Sequence, residues 1–222
     1  MEAEAPRMVV ARRRLGRGGS DRKQRERGAV LIEAALVFPV LLLLILGSFD
    51  YGLLFLDAST TSNVTRQGGR VGSAQGNSPL ADYNILTAAV SAGSALRAGS
   101  LSEIVIFDAT CSASGACDVN NDPLSKVPPN CTTASQPGIC NYYPAADLTS
   151  AVLTPANFGC PPSPAPPTLD SAWCPTTRNV SQANADYIGV YALVNHKWFT
   201  GYFGANRLIH DNVVFRLEPV SP

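Results

Sequence analysis

Glu33 and Asp50 stand where carboxylates are rarely tolerated, inside a run over residues 29–56 that is otherwise nearly all apolar. An ionised carboxylate in hydrocarbon costs at least a few kcal/mol, so both acids are expected to have partners or to reach a wet layer. Glu33, early in the run, can reach the headgroup layer by itself; the sharper reading rests on its spacing from Gly28. Six cysteines, Cys111, Cys117, Cys131, Cys140, Cys160 and Cys174, all fall in one segment rich in Pro, Asn and Ser. An even number of thiols where no apolar core is available points to disulfides. Among fifteen connectivities, neighbouring pairs are expected: Cys111 with Cys117, Cys131 with Cys140, and Cys160 with Cys174. A zinc site is the competing reading, but the short paired Cys motifs are missing and His196 and His210 are distant in sequence. Asp118, Asn120 and Asp122 resemble the opening of a calcium loop, yet Pro123 takes the turn position of Gly and Pro129 that of the closing Glu; an Asx-rich turn is the plainer reading. No nucleophile elbow, phosphate loop, dinucleotide fingerprint or zinc-protease motif occurs, so neither enzymatic activity nor a cofactor is expected. His196 and His210 flank Trp198, Phe199, Tyr202 and Phe203. These aromatics are expected to cover a sheet, with an interaction surface or a rest on the membrane interface as the second reading.

The elements that must position these residues begin with the apolar run. At 1.5 Å per residue it is long enough to cross about 30 Å of hydrocarbon. Arg22, Lys23, Arg25 and Arg27 precede it, whereas the stretch up to Ser62 carries no basic residue. The positive-inside rule then holds residues 1–28 in the cytoplasm and sends the C-terminal part out of it. A cleaved secretory signal would have a shorter apolar core and a small-x-small site, and residues 57–59 offer no convincing one. A buried core helix would need a polar face, which Leu41 to Leu44 do not leave. Net charge is zero, but nine of the 17 Lys and Arg residues crowd into residues 7–27, on a Gly- and Arg-rich tail. A nucleic-acid reader would spread that charge over a folded face, so no nucleic-acid partner is expected.

With 222 residues the chain has room for one anchor and one ectodomain. The helix is expected to leave the membrane as a stalk through Tyr51, Leu54, Phe55 and Ala58 and to break at Gly68 and Gly69. Ser78 and Pro79 read as the N-cap and first position of a second helix, followed by Leu80, Tyr83, Leu86 and Val90 at helical spacing. Residues 101–110 carry Ile104, Val105, Ile106 and Phe107 in one run and predict a strand; residues 187–195 and 212–218 alternate and predict two more. The expected fold is α+β, with an antiparallel sheet of about three strands beside a helix and an irregular disulfide-bearing insertion that includes the proline run over residues 161–167. The organisation is a basic leader (1–28), a transmembrane helix (29–56), a helical stalk with the first strand (57–110), the Cys- and Pro-rich insertion (111–185) and the C-terminal strands (186–222).

Arg27, Gly28, Ala29, Val30, Leu31, Ile32 and Glu33, followed by the apolar run, resemble the processing signal of type IV prepilins and pseudopilins. The continuation from Glu33 through Pro39 and Leu41 to Leu44, then Gly47, Tyr51 and Gly52, resembles more narrowly the TadE-like branch of tight-adherence (Flp) pilus assembly proteins. The resemblance covers about a quarter of the chain. It implies cleavage by a prepilin peptidase between Gly28 and Ala29, which makes Glu33 the fifth mature residue. It also implies that Glu33 and Pro39 serve helix packing, with Glu33 meeting the N-terminal amine of a neighbouring subunit where water is scarce. Implied partners are the peptidase, other pilins or pseudopilins, the inner-membrane assembly platform and the lipid bilayer; the implied function is pilus assembly or display at the cell surface. A membrane-anchored extracellular binding or adhesion domain unrelated to pili is the alternative, and an exported hydrolase stands third.

Overall fold

The computed structural model describes residues 20–110, 126–160 and 167–219, with side chains from residue 30 onward. Two compact units divide between Ser48 and Phe49. The described part of the first is helical and exposed: almost every side chain from Val30 to Ile45 faces outward. Helix α1 (Ser20–Gln75) contains Pro39 without ending there. Among the described residues it is the one helix long and apolar enough to cross a membrane, and none of its apolar window is buried. An apolar window that buries nothing against the described residues has the character of a single-pass anchor.

In the second unit, α2 (Ala81–Ala92) and four strands follow: β1 (Leu101–Asp108), β2 (Cys140–Pro144), β3 (Tyr187–Lys197) and β4 (Asn206–Arg216). They form one antiparallel sheet in the order β2-β1-β3-β4. The fold is α+β as expected, with four strands where about three were expected. The additional one, β2, lies inside the segment read as irregular; its five residues are too few to display an alternation, and it is recognisable only by its pairing with β1, Ile104 opposite Tyr143. Strand β4 starts at Asn206 instead of residue 212, because it pairs with β3 along its whole length, Tyr187 opposite Arg216 through Lys197 opposite Asn206. Its first half is largely exposed and its two apolar residues, Leu208 and Ile209, are adjacent instead of alternating, which hides the strand from a reading of alternation.

The continuous apolar run of β1 has a simple cause: both faces of this central strand are covered. Ile104 and Ile106 join Ile188, Val190 and Ala192 of β3 against Val64 of α1 and Ile85, Leu86 and Ala89 of α2. On the opposite face Val105 and Phe107 pack with Tyr191, Cys131 and Cys140. The expected break of α1 at Gly68 and Gly69 does not occur; the helix runs on to Gln75. Those glycines let the sheet approach instead. A Cβ at Gly69 would lie 2.4 Å from the Phe215 ring, and one at Gly68 would lie 3.2 Å from Val190. Close packing of the bare backbone against the sheet offsets the conformational entropy that glycine costs a helix. Helix α2 likewise begins at Ala81 and not at Pro79: the Ala81 and Asn84 amides bond to the carbonyls of Ser78 and Leu80, and no side chain caps the turn.

Candidate functional site

Asp50 is the first landmark. It is fully buried although it lies within the apolar run of α1. The loop between β3 and β4 folds over it: the Phe199 amide donates to Oδ1 at 2.9 Å, the Thr200 amide donates to Oδ2 at 3.3 Å, and the Thr200 hydroxyl donates to the same Oδ2. Three donors replace the water that the carboxylate gives up, as a charged acceptor near hydrocarbon requires. Around this clasp Tyr51 meets Trp198 and Phe203 edge-on, at 5.8 and 5.0 Å between ring centroids, and Phe49 meets Phe199 at 5.8 Å. About two turns further along α1, Asp57 Oδ2 is 2.7 Å from Nδ1 of the buried His196, and about two turns beyond that Thr65 donates to Asp211 at 2.8 Å. Near the end of α1 the Ser73 hydroxyl donates to the Arg216 carbonyl at 2.7 Å, so the helix is fastened to β3, β4 and the loop between them by polar bonds at four levels. Asp50→Ala leaves two amides of the loop without an acceptor and is expected to weaken the clasp by about 1–3 kcal/mol. Faster hydrogen exchange at Phe199 and Thr200 in the detergent-held full chain is the measurement; unchanged protection would show that Asp50 does not hold the loop.

The second landmark is a buried polar cluster that ties the Cys-rich segment to α2 and β2. Asp82 Oδ1 is 2.5 Å from Nη2 of Arg178, and Oδ2 accepts from Asn141 at 2.7 Å and from the Tyr143 hydroxyl at 2.8 Å. Asn141 also bonds both backbone groups of Trp173, accepting from its N–H and donating to its carbonyl at 2.8 Å each. The Arg178 guanidinium lies over the Trp173 ring, 4.1 Å from its centre, in cation–π geometry. Burial, reinforced by the charge of Asp82, holds the Tyr143 phenol well above its ordinary pKa, so that it remains an O–H donor. Cys131 is bonded to Cys140, at the start of β2, and Cys160 to Cys174, next to Trp173. Cys111 and Cys117, the calcium-like stretch over residues 118–122 and most of the proline run lie outside the described residues.

Gly28 and Ala29 fall within α1. Glu33 and Pro39 are both exposed, and Glu33 has no hydrogen bond or ion pair with any described residue. Asp50 and Glu33, the two acids of the apolar run, therefore differ: one is satisfied by its own chain and one is not. Among the described residues no three His, Cys, Asp or Glu side chains converge as metal ligands would. Sequence reasoning did not single out Asp82 and Arg178. For Asp82 a signal existed, since helical spacing puts it on the face of Ile85, Leu86 and Ala89.

Residues 28–70 match the family model described as TadE-like protein. This segment is TadE-like. The match opens at Gly28, takes in Glu33, Pro39 and Asp50, and ends where α1 lies against the sheet. No curated protein and no solved structure matches the chain.

Proposed function

We propose that this TadE-like chain is a non-enzymatic minor pseudopilin that acts in the assembly or display of a tight-adherence pilus. Its leader, residues 1–28, stays in the cytoplasm, held there by the nine basic residues of its 7–27 stretch. A prepilin peptidase cuts between Gly28 and Ala29, the mature helix remains in the inner membrane among other pilins and the assembly platform, and the sheet domain is displayed outside. The observation that carries this reading is the exposed, unpartnered Glu33 in a segment whose family match begins at Gly28. A carboxylate in that position is stabilised once a cation comes within about 4 Å in a dry setting. Cleavage creates such a cation at Ala29, and the amine of a neighbouring subunit is the partner proposed for Glu33. Pro39, equally exposed, frees a helix carbonyl that neighbouring helices or local bending can satisfy.

The test is the N-terminus and mass of the protein from native membranes, with and without the peptidase, beside Gly28→Ala. A chain starting at Ala29 that is lost in both controls is expected. An intact leader, or a start beyond Leu56, would overturn the proposal and favour an anchored or secreted binding domain unrelated to pili.

A further inference from the structure

The second unit keeps its exposed apolar side chains in two places that touch. From residue 49 onward, every large hydrophobic side chain left exposed among the described residues belongs to residues 49–56 of α1 or to residues 199–208 of the β3–β4 hairpin. On the hairpin, Phe199 and Tyr202 are each 66 % exposed, Leu208 58 % and Phe203 45 %. Scattered exposed apolar residues need no explanation, but a cluster confined to one end of a domain does. This cluster is also built: the Asp50 clasp holds the loop, and Trp198 is wedged among Tyr51, His196 and Phe203. No acidic residue occurs from Asn195 to His210, while Lys197 and Arg207 are exposed at the base of the loop.

Counting along the chain says what faces the cluster. About 20 helical residues cross the hydrocarbon, so a span that begins near Ala29 ends near Ser48, and Phe49 and Tyr51 fall in the outer interfacial layer. Phe199, Trp198 and Phe203 pack on those two residues and therefore share their depth, and Tyr202 stands next to Phe203 in the same loop. Half-wet aromatic side chains are the residue type that this layer favours, and the flanking cations suit anionic headgroups.

We propose that the β3–β4 hairpin is a membrane-interface contact, which seats Phe199, Tyr202 and Phe203 among the outer headgroups of the bilayer that α1 crosses. The proposal rests on the membrane-anchor part of the function above and not on pilus membership. Lipid is favoured over a protein partner because residues 49–56 follow the span directly in sequence and the one acid within the patch, Asp50, is buried beneath the loop. The domain is then held to the membrane at a second point, which restricts its swing about the anchor.

The full chain in phosphatidylethanolamine–phosphatidylglycerol vesicles provides the test. The protein has two tryptophans, Trp173 and Trp198; in a Trp198→Phe background the buried Trp173 is an unquenched internal reference that also reports folding. Into this background go, one at a time, Phe199→Trp, Tyr202→Trp and, within the span, Leu41→Trp. Lipids spin-labelled near the glycerol backbone or near the chain terminus serve as quenchers. The shallow label is expected to quench the two hairpin tryptophans several-fold more than the deep one, with the order reversed at position 41. Hairpin tryptophans that neither label quenches, beside a quenched tryptophan at position 41, overturn the proposal and leave the anchor standing; stronger quenching by the deep label overturns the interfacial placement. An unquenched tryptophan at position 41 overturns the anchor itself, and this inference with it.

Discussion

Arg178→Met is expected to lower the unfolding free energy of the sheet domain by about 3–5 kcal/mol, the usual loss when one member of a buried ion pair is removed. Both side chains of the pair are fully buried. Without Arg178, Asp82 retains only the neutral donors Asn141 and Tyr143, which cannot replace a cation at 2.5 Å. The guanidinium itself is sparsely satisfied: Nε and Nη1 have no hydrogen-bond partner among the described residues, and Nη2 reaches only Asp82 and, at 3.3 Å, the Trp173 carbonyl. The pair is therefore a poor source of net stability compared with an apolar substitute, but a sensitive one to break. A double-mutant cycle with Asp82→Leu separates the two effects. The double variant is expected to be less destabilised than the sum of the single ones, since neither charge is then left buried alone. Denaturant unfolding of the detergent-held chain measures both quantities; a loss below about 1 kcal/mol for Arg178→Met, in the range of exposed pairs, would mean that water reaches the cluster.

How much of this was legible in the sequence depended on how local each signal was. The anchor helix, β1 and β3 follow from composition and period within a dozen residues, and the Gly28–Glu33–Pro39 spacing is equally local. Asp50 was recognisable as a carboxylate in need of a partner, but its donors, Phe199 and Thr200, lie about 150 residues away, where no pattern links a turn to a helix. Gly68 and Gly69 are ambiguous in the sequence because a glycine pair has two physical meanings, a break or a close approach. Only the positions of Phe215 and Val190 decide between them. The short β2 was hidden because Asn141 and Tyr143 serve the polar cluster, so that the strand lacks an apolar face of the usual kind. Arg178 gave no sign at all; it stands among polar residues of a segment that reads as loop, and its burial is a consequence of the fold around Asp82.

Gly189→Ala is expected to cost about 3 kcal/mol, at the top of the range for overpacking. Gly189 stands directly opposite Phe107 across the two central strands, and an added Cβ would fall 2.1 Å from the tip of that ring. The ring cannot turn aside, because it is fully buried with Tyr191, Cys131 and Cys140 around it. Nor can the strands separate, since β1 is also paired with β2, and β3 with β4. Gly69 provides the contrast. Its added Cβ would meet Phe215 and Val213 at 2.4 and 2.9 Å, but both belong to the edge strand β4 and are only partly buried, so they can yield. Gly69→Ala should therefore be the milder change of the two, although both clashes lie well inside contact distance. Trimming the ring with Phe107→Leu should restore part of what Gly189→Ala loses, because the added methyl then occupies volume that the ring has left. Unfolding midpoints of the two single variants and of the Gly189→Ala/Phe107→Leu pair decide it: a milder effect at Gly189 than at Gly69, or no rescue by the smaller side chain, would mean that the packing of Phe107 over Gly189 is not what limits this position.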